Sequence, residues 1–231
     1  MIMKPLQPFL AAVLLSSVTL AMTTHAGIIY SSLPSGGNIP DGKPTGWSTT
    51  ATASGYLPTI SDVTVPLNIS GGYNGDLYAY LSYGGVLVPL LNRVGTGTGS
   101  PSNPTYYFGF STSGYGNITL DDSATANGSI HNVASPVSGQ SYQPDGGTLA
   151  SFDGLNPNGT WTIFFADLST GGGQSTLQGW SLNITAVPEP VSTALAIFGG
   201  VAVCVVAARS RPVRERVKRW HAAANRWIDA V

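Results

Sequence analysis

Two runs of alternating apolar and polar residues constrain this chain more than any other feature. A step of two puts every second side chain on the same face of a strand, so each run offers one face to a core. The first run precedes the turn signal Asn74-Gly75, and its apolar members are Val63, Val65, Leu67 and Ile69. The second follows that turn with Leu77, Ala79 and Leu81. Both runs predict half-buried strands.

Five further stretches are typical of short strands: 86–91, 106–110, 117–120, 161–165 and 177–184. The chain holds 29 Gly and 16 Pro, and only 9% of its residues are charged. That balance favours short strands joined by turns over long surface helices, and no convincing internal helix interrupts the pattern. The sequence therefore predicts an all-β fold, a jelly-roll-like antiparallel β-sandwich.

Residues 1–26 have the features of a cleavable export signal. Lys4 precedes an apolar stretch at 9–22, and small residues then frame His25 ahead of Gly27. We predict cleavage between Ala26 and Gly27. A permanent N-terminal anchor is the alternative, but the apolar stretch is shorter than the roughly 20 residues that a membrane span needs.

Composition divides the rest of the chain into three parts. Residues 27–57 are rich in Ser, Gly, Pro and Thr, and we predict an extended entry segment with at most one short strand. Residues 58–186 carry the main strand signals and are predicted to form the sandwich. Residues 187–231 combine an apolar run with a strongly basic end.

The C-terminal part begins with Val187, Pro188, Glu189 and Pro190, where each residue before a proline is pushed towards extended backbone. An apolar stretch at 191–208 follows and is long enough for a transmembrane helix. A basic cluster comes next, so we predict a cytoplasmic C-terminus and a domain outside the inner membrane. The tail beyond it is predicted to be a basic amphipathic helix on the membrane surface, with a disordered basic tail as the alternative.

This order of Pro-Glu-Pro motif, apolar helix and arginine cluster resembles the PEP-CTERM sorting signal of Gram-negative bacteria. The resemblance implies recognition of Val187, Pro188, Glu189 and Pro190 by an exosortase and cleavage near them. It also implies an exported protein, anchored in the inner membrane with its domain in the periplasm, and then released to the cell surface or extracellular exopolysaccharide matrix. One departure is the length of the tail beyond the basic cluster.

A second set of motifs lies in the predicted sandwich. Gly75-Asp76-Leu77, Asn158-Gly-Thr-Trp161 and the run Thr-Leu-Gln-Gly-Trp-Ser-Leu at 176–182 resemble the P domain, also called the Homo B domain, of subtilisin-like proprotein convertases. The resemblance covers roughly residues 58–185 and implies a jelly-roll sandwich of the kind that usually follows a serine protease domain. Two loop motifs depart from the family, at Ser82 and at Ser175.

Charge and residue usage exclude several functions. Residues 27–187 carry eight aspartates against Lys43 and Arg93, a formal charge of −6, so they offer no basic patch to nucleic acid. They contain no cysteine, and His131, predicted to be an exposed loop residue, is their only histidine. A catalytic triad needs a base beside its nucleophile, and a zinc site needs several nitrogen or sulfur ligands. We therefore predict that the protein is not an enzyme.

Aspartates are the remaining candidates for metal binding. Carboxylates and main-chain carbonyls of Gly-rich loops are the hard oxygen ligands that Ca²⁺ prefers. The candidate calcium ligands are Asp76, Asp121, Asp122 and Asp167. The alternative is that Asp76 and Asp167 only accept hydrogen bonds in turns and at strand ends.

Tyrosines suggest a binding surface. Tyr73, Tyr78, Tyr80 and Tyr83 form a candidate platform for sugar rings, with packing on the second side of a sheet as the alternative.

Three functions stay open from the sequence. The first is a non-catalytic surface or exopolysaccharide-matrix protein with a binding or structural sandwich. The second is an accessory module for a secreted subtilisin-like serine protease acting in trans, and the third is a polysaccharide-binding module.

Overall fold

The computed structural model describes residues 25–30 and 37–209. Most of the predicted signal peptide and all of the predicted amphipathic tail lie outside the described residues. The predicted cleavage pair, Ala26 and Gly27, lies within the first strand. Cleavage between these two residues stays a prediction.

Ten strands form two sheets within the described residues. In chain order they are β1 His25–Tyr30, β2 Gly37–Ile39, β3 Lys43–Ala53, β4 Thr59–Ser70, β5 Leu77–Tyr83, β6 Val86–Asn92, β7 Gly116–Leu120, β8 Ser141–Tyr142, β9 Gly159–Asp167 and β10 Ser175–Val187. The first sheet has the order β1-β10-β4-β7-β8, with β2 also paired to β10. The second sheet has the order β3-β9-β5-β6. All pairings are antiparallel except that of β7 with β8.

One shared core lies between the two sheets. The inward residues of β4 and β5 that the alternation predicts are all buried, and they pack in one cluster with Trp161 and Phe165 of β9 and Leu182 of β10. Burial of apolar side chains from two sheets against one another is what defines a sandwich. The predicted all-β antiparallel sandwich is therefore confirmed.

The predicted strand at 106–110 is wrong. A short helix, α1, spans Pro104–Phe108 instead. The Asn103 side chain accepts a hydrogen bond from Thr105 N at 3.0 Å, and a proline occupies the first turn, so the helix start is capped. Gly109 ends it with a φ of 74°. These local signals outweigh the strand preference of the aromatic residues in between.

The prediction of an entry segment at 27–57 with at most one short strand is also wrong, because β1, β2 and β3 fall largely within it. The β3 strand lies at the edge of its sheet and pairs only with β9 among the described strands. Ser48, Thr50 and Thr52 are exposed on its outer face, and Ala51 and Ala53 are its buried residues. An edge strand can form with few apolar residues. The polar composition of this segment therefore did not indicate that it is a strand.

The second helix, α2, spans Pro190–Arg209 and belongs to a different unit from the Thr23–Val187 unit, so it is described by itself. Among the described residues, no helix combines the length and apolar character required to cross a membrane. The transmembrane helix at 191–208 therefore stays a prediction. Val187 is the last residue of β10 and pairs with Thr59, so the processing motif does not lie wholly outside the sandwich.

Candidate functional site

An open cleft of about 270 Å³ lies where α1 meets the turn before β5. We call it the aromatic cleft. Its walls combine aromatic rings with hydroxyl and carboxylate groups, contributed chiefly by Tyr73, Asp76, Thr105, Phe108, Phe110 and Ser169. Small-molecule sites commonly have this form, a concave and mostly apolar surface with a few polar groups that orient the ligand.

Close backbone contact between two glycines holds α1 beside the turn Asn74–Asp76. A Cβ on Gly109 would lie 2.6 Å from Gly75 Cα, and its φ of 74° also favours glycine. Gly75 N donates to Phe110 O at 2.8 Å. The helix and the turn are thereby fixed as two walls of the cleft, and Phe108 remains 65% exposed at its edge.

A third wall comes from the loop between β9 and β10. A Cβ on Gly172 would lie 2.4 Å from the Tyr73 ring, and Gly172 has a φ of 80°, so only glycine lets the ring lie there. Tyr73 is 39% exposed, enough for one part of its ring to meet a ligand.

Two buried carboxylates lie at the base of this region. Asp76 is 4% exposed and Asp167 is fully buried, and the β5–β9 register pairs Asp167 with Leu77, the residue after Asp76. Leu168 N donates to Asp76 O at 2.9 Å. Asp76 directly precedes β5, and Asp167 is the last residue of the neighbouring antiparallel strand β9. The fold therefore brings these two predicted site residues together at the same end of adjacent strands.

Burial and the charge of nearby carboxylates raise the pKa of both aspartates. Burial is the largest cause that raises the pKa of Asp76 to about 6, and the negative charge of Asp167 raises it further, while Arg93 opposes the shift. Burial also raises the pKa of Asp167; the backbone amides of Ser169 and Gly42 partly offset this rise, and the negative charge of Asp41 adds to it. Asp41 therefore belongs to the same electrostatic cluster, although the sequence did not single it out.

Asp121 and Asp122 lie in a different setting. Asp121 Oδ1 accepts from Ser123 N at 2.8 Å and from Ser123 Oγ at 2.7 Å. Asp122 accepts from Leu149 N at 3.0 Å, from Ala150 N at 2.8 Å and from the Thr148 hydroxyl. These bonds hold the loop and the start of the short helical turn at 149–152. Both oxygens of Asp122 and Oδ1 of Asp121 are therefore used in bonds that hold the protein's own loops, and in the described part of the chain neither carboxylate belongs to a group arranged to hold a metal.

The four predicted calcium ligands are therefore split between two places. Among the described residues, no group of three or more Asp, Glu, His or Cys side chains is arranged to hold a metal ion. A calcium site with all four aspartates is inconsistent with that geometry. Of these four aspartates, only Asp76 and Asp167 have a buried carboxylate oxygen without a hydrogen-bond partner among the described residues.

His131 is not an exposed loop residue as predicted, since its side chain is 25% exposed and forms an ion pair. Its Nδ1 lies 2.6 Å from Asp145 Oδ1, and its Nε2 lies 2.8 Å from Thr96 O. Asp145 Oδ2 also accepts from Asn92 N at 2.7 Å. Both ring nitrogens therefore face oxygen atoms of the protein's own fold.

The predicted tyrosine platform is not assembled. Tyr80 stacks on Phe164 with ring centroids 4.8 Å apart, and Tyr83 stacks on Trp161 at 4.1 Å. Tyr78 and Tyr80 are half-buried on the outer side of β5, while only Tyr73 lines the cleft. Phe108 was not among the predicted site residues; its sequence signal is the Asn103-Pro104 cap, which starts the helix that carries it.

No protein-family model matches this chain, and no curated protein sequence matches it. Two solved structures are similar: the Aeromonas sobria serine protease in complex with its chaperone, at 14% identity and a TM-score of 0.40, and the Aeromonas sobria serine protease, at 16% and 0.38. The alignments cover 77% and 80% of this chain but only 29% and 28% of the other chains. Similarity at this level carries no inference about function.

Proposed function

We propose that this chain is an exported, non-catalytic protein of the cell surface or exopolysaccharide matrix, whose sandwich binds a saccharide polymer in the aromatic cleft. The observation that carries the proposal is the cleft itself, with Tyr73 and Phe108 exposed beside polar groups. Aromatic side chains give large contact area with specific geometry, and the flat faces of sugar rings match them. Thr105, Ser169 and Asp76 supply hydrogen-bonding groups for sugar hydroxyls.

Two further observations support a binding role. The cleft is open, so a polymer chain enters it without a change in the fold. His131, the one histidine between residues 27 and 187, is engaged through both ring nitrogens and supplies no free base. Recognition of an extracellular ligand needs neither a base nor a metal-bound water.

The saccharide test uses the Thr23–Val187 unit, which contains every member of the buried core cluster and so has what it needs to fold. Its migration is measured by affinity electrophoresis in gels that contain dextran, xylan, alginate or the producing organism's own extracellular polysaccharide. We expect retardation by at least one of them. Phe108→Ala and Tyr73→Ala should each weaken it about tenfold or more, since each removes buried aromatic contact.

Leu87→Ala is the matched control, because Leu87 is an exposed apolar residue that does not line the cleft. It should leave migration unchanged. Absence of retardation by every polymer, or equal losses in Leu87→Ala and Phe108→Ala, would contradict saccharide binding in the cleft.

The second candidate function is an accessory module for a secreted subtilisin-like serine protease. It rests on the sequence motifs that resemble the P domain. In the structure Trp161, Trp180, Leu77 and Asp76 from those motifs are buried, so they build the fold and do not form a contact surface. Size-exclusion chromatography of the unit with such a protease tests this candidate. A stable complex that survives Phe108→Ala would favour it over the saccharide proposal.

Export and sorting form the other part of the proposal. The PEP-CTERM resemblance at Val187, Pro188, Glu189 and Pro190 supports processing by an exosortase near this motif. Replacing Pro188, Glu189 and Pro190 by alanines should leave the full-length protein in the inner membrane. Intact-mass analysis of the extracellular protein is the measurement. An extracellular form that retains Trp227 would show that the tail is a permanent part of the protein.

A further inference from the structure

Three buried oxygens near the aromatic cleft lack hydrogen-bond partners in the part of the chain that the structure describes. They are Asp76 Oδ2, Asp167 Oδ2 and Asn74 Oδ1. Asn74 and Asp167 are fully buried, and Asp76 is 4% exposed. Buried polar atoms are almost always paired, so three orphaned oxygen acceptors in one region need a partner.

Asn74 and Asp76 both belong to the short helical turn Asn74–Asp76, which directly precedes β5. Asn74 Nδ2 donates to Gly114 O at 3.1 Å, which holds the amide group in place while its oxygen stays unbonded. Asp41 Oδ1 is a fourth buried oxygen without a partner, and its charge acts on both buried carboxylates.

Within the described ranges, no positively charged side chain forms an ion pair with these carboxylates. The single ion pair among the described residues joins His131 and Asp145, away from this group. Arg93 is the cation that acts on Asp76, but its guanidinium donates to two carbonyls, Gly75 O at 3.4 Å and Tyr107 O at 3.3 Å. Burying unpaired carboxylates is costly, so a bound proton or a bound cation must offset the charge.

We infer that Asp76, Asp167 and Asn74, with Asp41 beside them, form a Ca²⁺ site next to the aromatic cleft. All three side chains offer hard oxygen ligands, the type that Ca²⁺ prefers. Ca²⁺ also tolerates irregular geometry from carboxylates, amide oxygens and main-chain carbonyls. Such a site needs no third carboxylate within bonding distance. Mg²⁺ fits less well because it demands near-ideal octahedral geometry.

The site is reachable from solvent because Asp76 also lines the cleft. Water or main-chain carbonyls of the cleft wall then complete the coordination. The inference does not depend on saccharide binding, because the orphaned oxygens are a property of the protein alone.

Thermal unfolding of the Thr23–Val187 unit, first stripped with EDTA, tests the inference. At pH 7.5, Ca²⁺ at about a hundred times its dissociation constant should raise Tm by about 5 to 10 °C, and Mg²⁺ at the same concentration should have a much smaller effect. Asp167→Asn and Asp76→Asn should abolish the shift. Asp121→Asn is the matched control, since it changes an aspartate whose oxygen bonds only its own loop, and it should retain the full shift.

Terbium luminescence gives a second readout that needs no variant to fold. Tb³⁺ replaces Ca²⁺ at oxygen sites, and Tyr73 lines the same cleft as Asp76, so excitation of tyrosine should produce sensitised emission that Ca²⁺ displaces and Mg²⁺ does not. No sensitised emission, or no Tm shift in the unaltered unit, overturns the inference. A Ca²⁺ shift that persists in both Asp76→Asn and Asp167→Asn also overturns it.

Discussion

Two pairs of aspartates in this protein have the same chemistry and opposite surroundings. Asp122 uses both carboxylate oxygens to accept hydrogen bonds from the loop at 148–150, and Asp121 accepts from Ser123. Asp76 and Asp167 are more deeply buried, and each keeps an oxygen without a partner among the described residues. The first pair stabilises the fold through hydrogen bonds within its own loops. For the second pair, ionisation in the protein interior costs free energy, and a bound cation or proton would lower that cost.

The largest expected effect comes from the satisfied pair. Asp122→Ala should lower the free energy of unfolding by about 2 to 3 kcal/mol, because it removes several hydrogen bonds to a charged acceptor at the start of the turn at 149–152. Urea denaturation of the Thr23–Val187 unit measures it. The loss should be the same with EDTA and with Ca²⁺. A loss below about 0.5 kcal/mol would show that these bonds do not hold the loop.

The second effect is a pH dependence from the orphaned pair, and it should appear in metal-free protein. Burial raises the pKa of Asp76 in the folded protein from its ordinary value of 3.8 to about 6, so the folded state binds the proton more tightly than the unfolded state. Stability is therefore greatest below pH 4 and falls as the pH rises through 6. The unfolding midpoint in urea with EDTA, followed from pH 4 to pH 7, measures this.

Asp76→Asn is the control for that pH dependence, because an amide cannot titrate. It should reduce the fall in stability between pH 4 and pH 7. The fall should not vanish, since burial also raises the pKa of Asp167. An unchanged profile in Asp76→Asn would show that Asp76 is not the titrating group.

The smallest effect should come from Asp121. Its carboxylate accepts from the backbone and hydroxyl of Ser123 within one exposed turn, at 2.8 Å and 2.7 Å. Asp121→Ala should therefore cost only about 0.5 to 1 kcal/mol in the same denaturation assay. A cost as large as that of Asp122→Ala would mean that the two neighbouring residues share one structural role.

The strand predictions succeeded where the sheet face is half buried. The alternation from Val63 to Ile69 and from Leu77 to Leu81 matches β4 and β5, because core-facing strands must carry apolar residues at every second position. The predictions were wrong where strand pairing or helix capping, and not burial of one face, determines the local structure. Edge pairing stabilises the polar β3, and an asparagine cap with a proline starts α1 across residues that favour strands.

The site was only partly predictable. Asp76 and Asp167 were named as candidate ligands, but so were Asp121 and Asp122, and nothing in their local sequence distinguishes the two pairs. Asp41 and Phe108 were not named at all. Asp41 precedes β3 and Phe108 ends α1, the two elements that the sequence analysis interpreted wrongly, so their places depended on structure that the pattern had not predicted.

The sequence by itself determined the sandwich class, the lack of a second histidine or any cysteine within residues 27–187, and the strongly acidic charge of that part. These are properties of composition and of short-range periodicity. The tertiary structure alone decided which aspartates meet and which are satisfied. The register that sets Leu77 opposite Asp167 joins positions 90 residues apart in the chain, and the contact of Gly75 with Gly109 brings α1 against the turn at Asn74. Such juxtapositions follow from how strands pair and pack over long separations, and no local pattern encodes them.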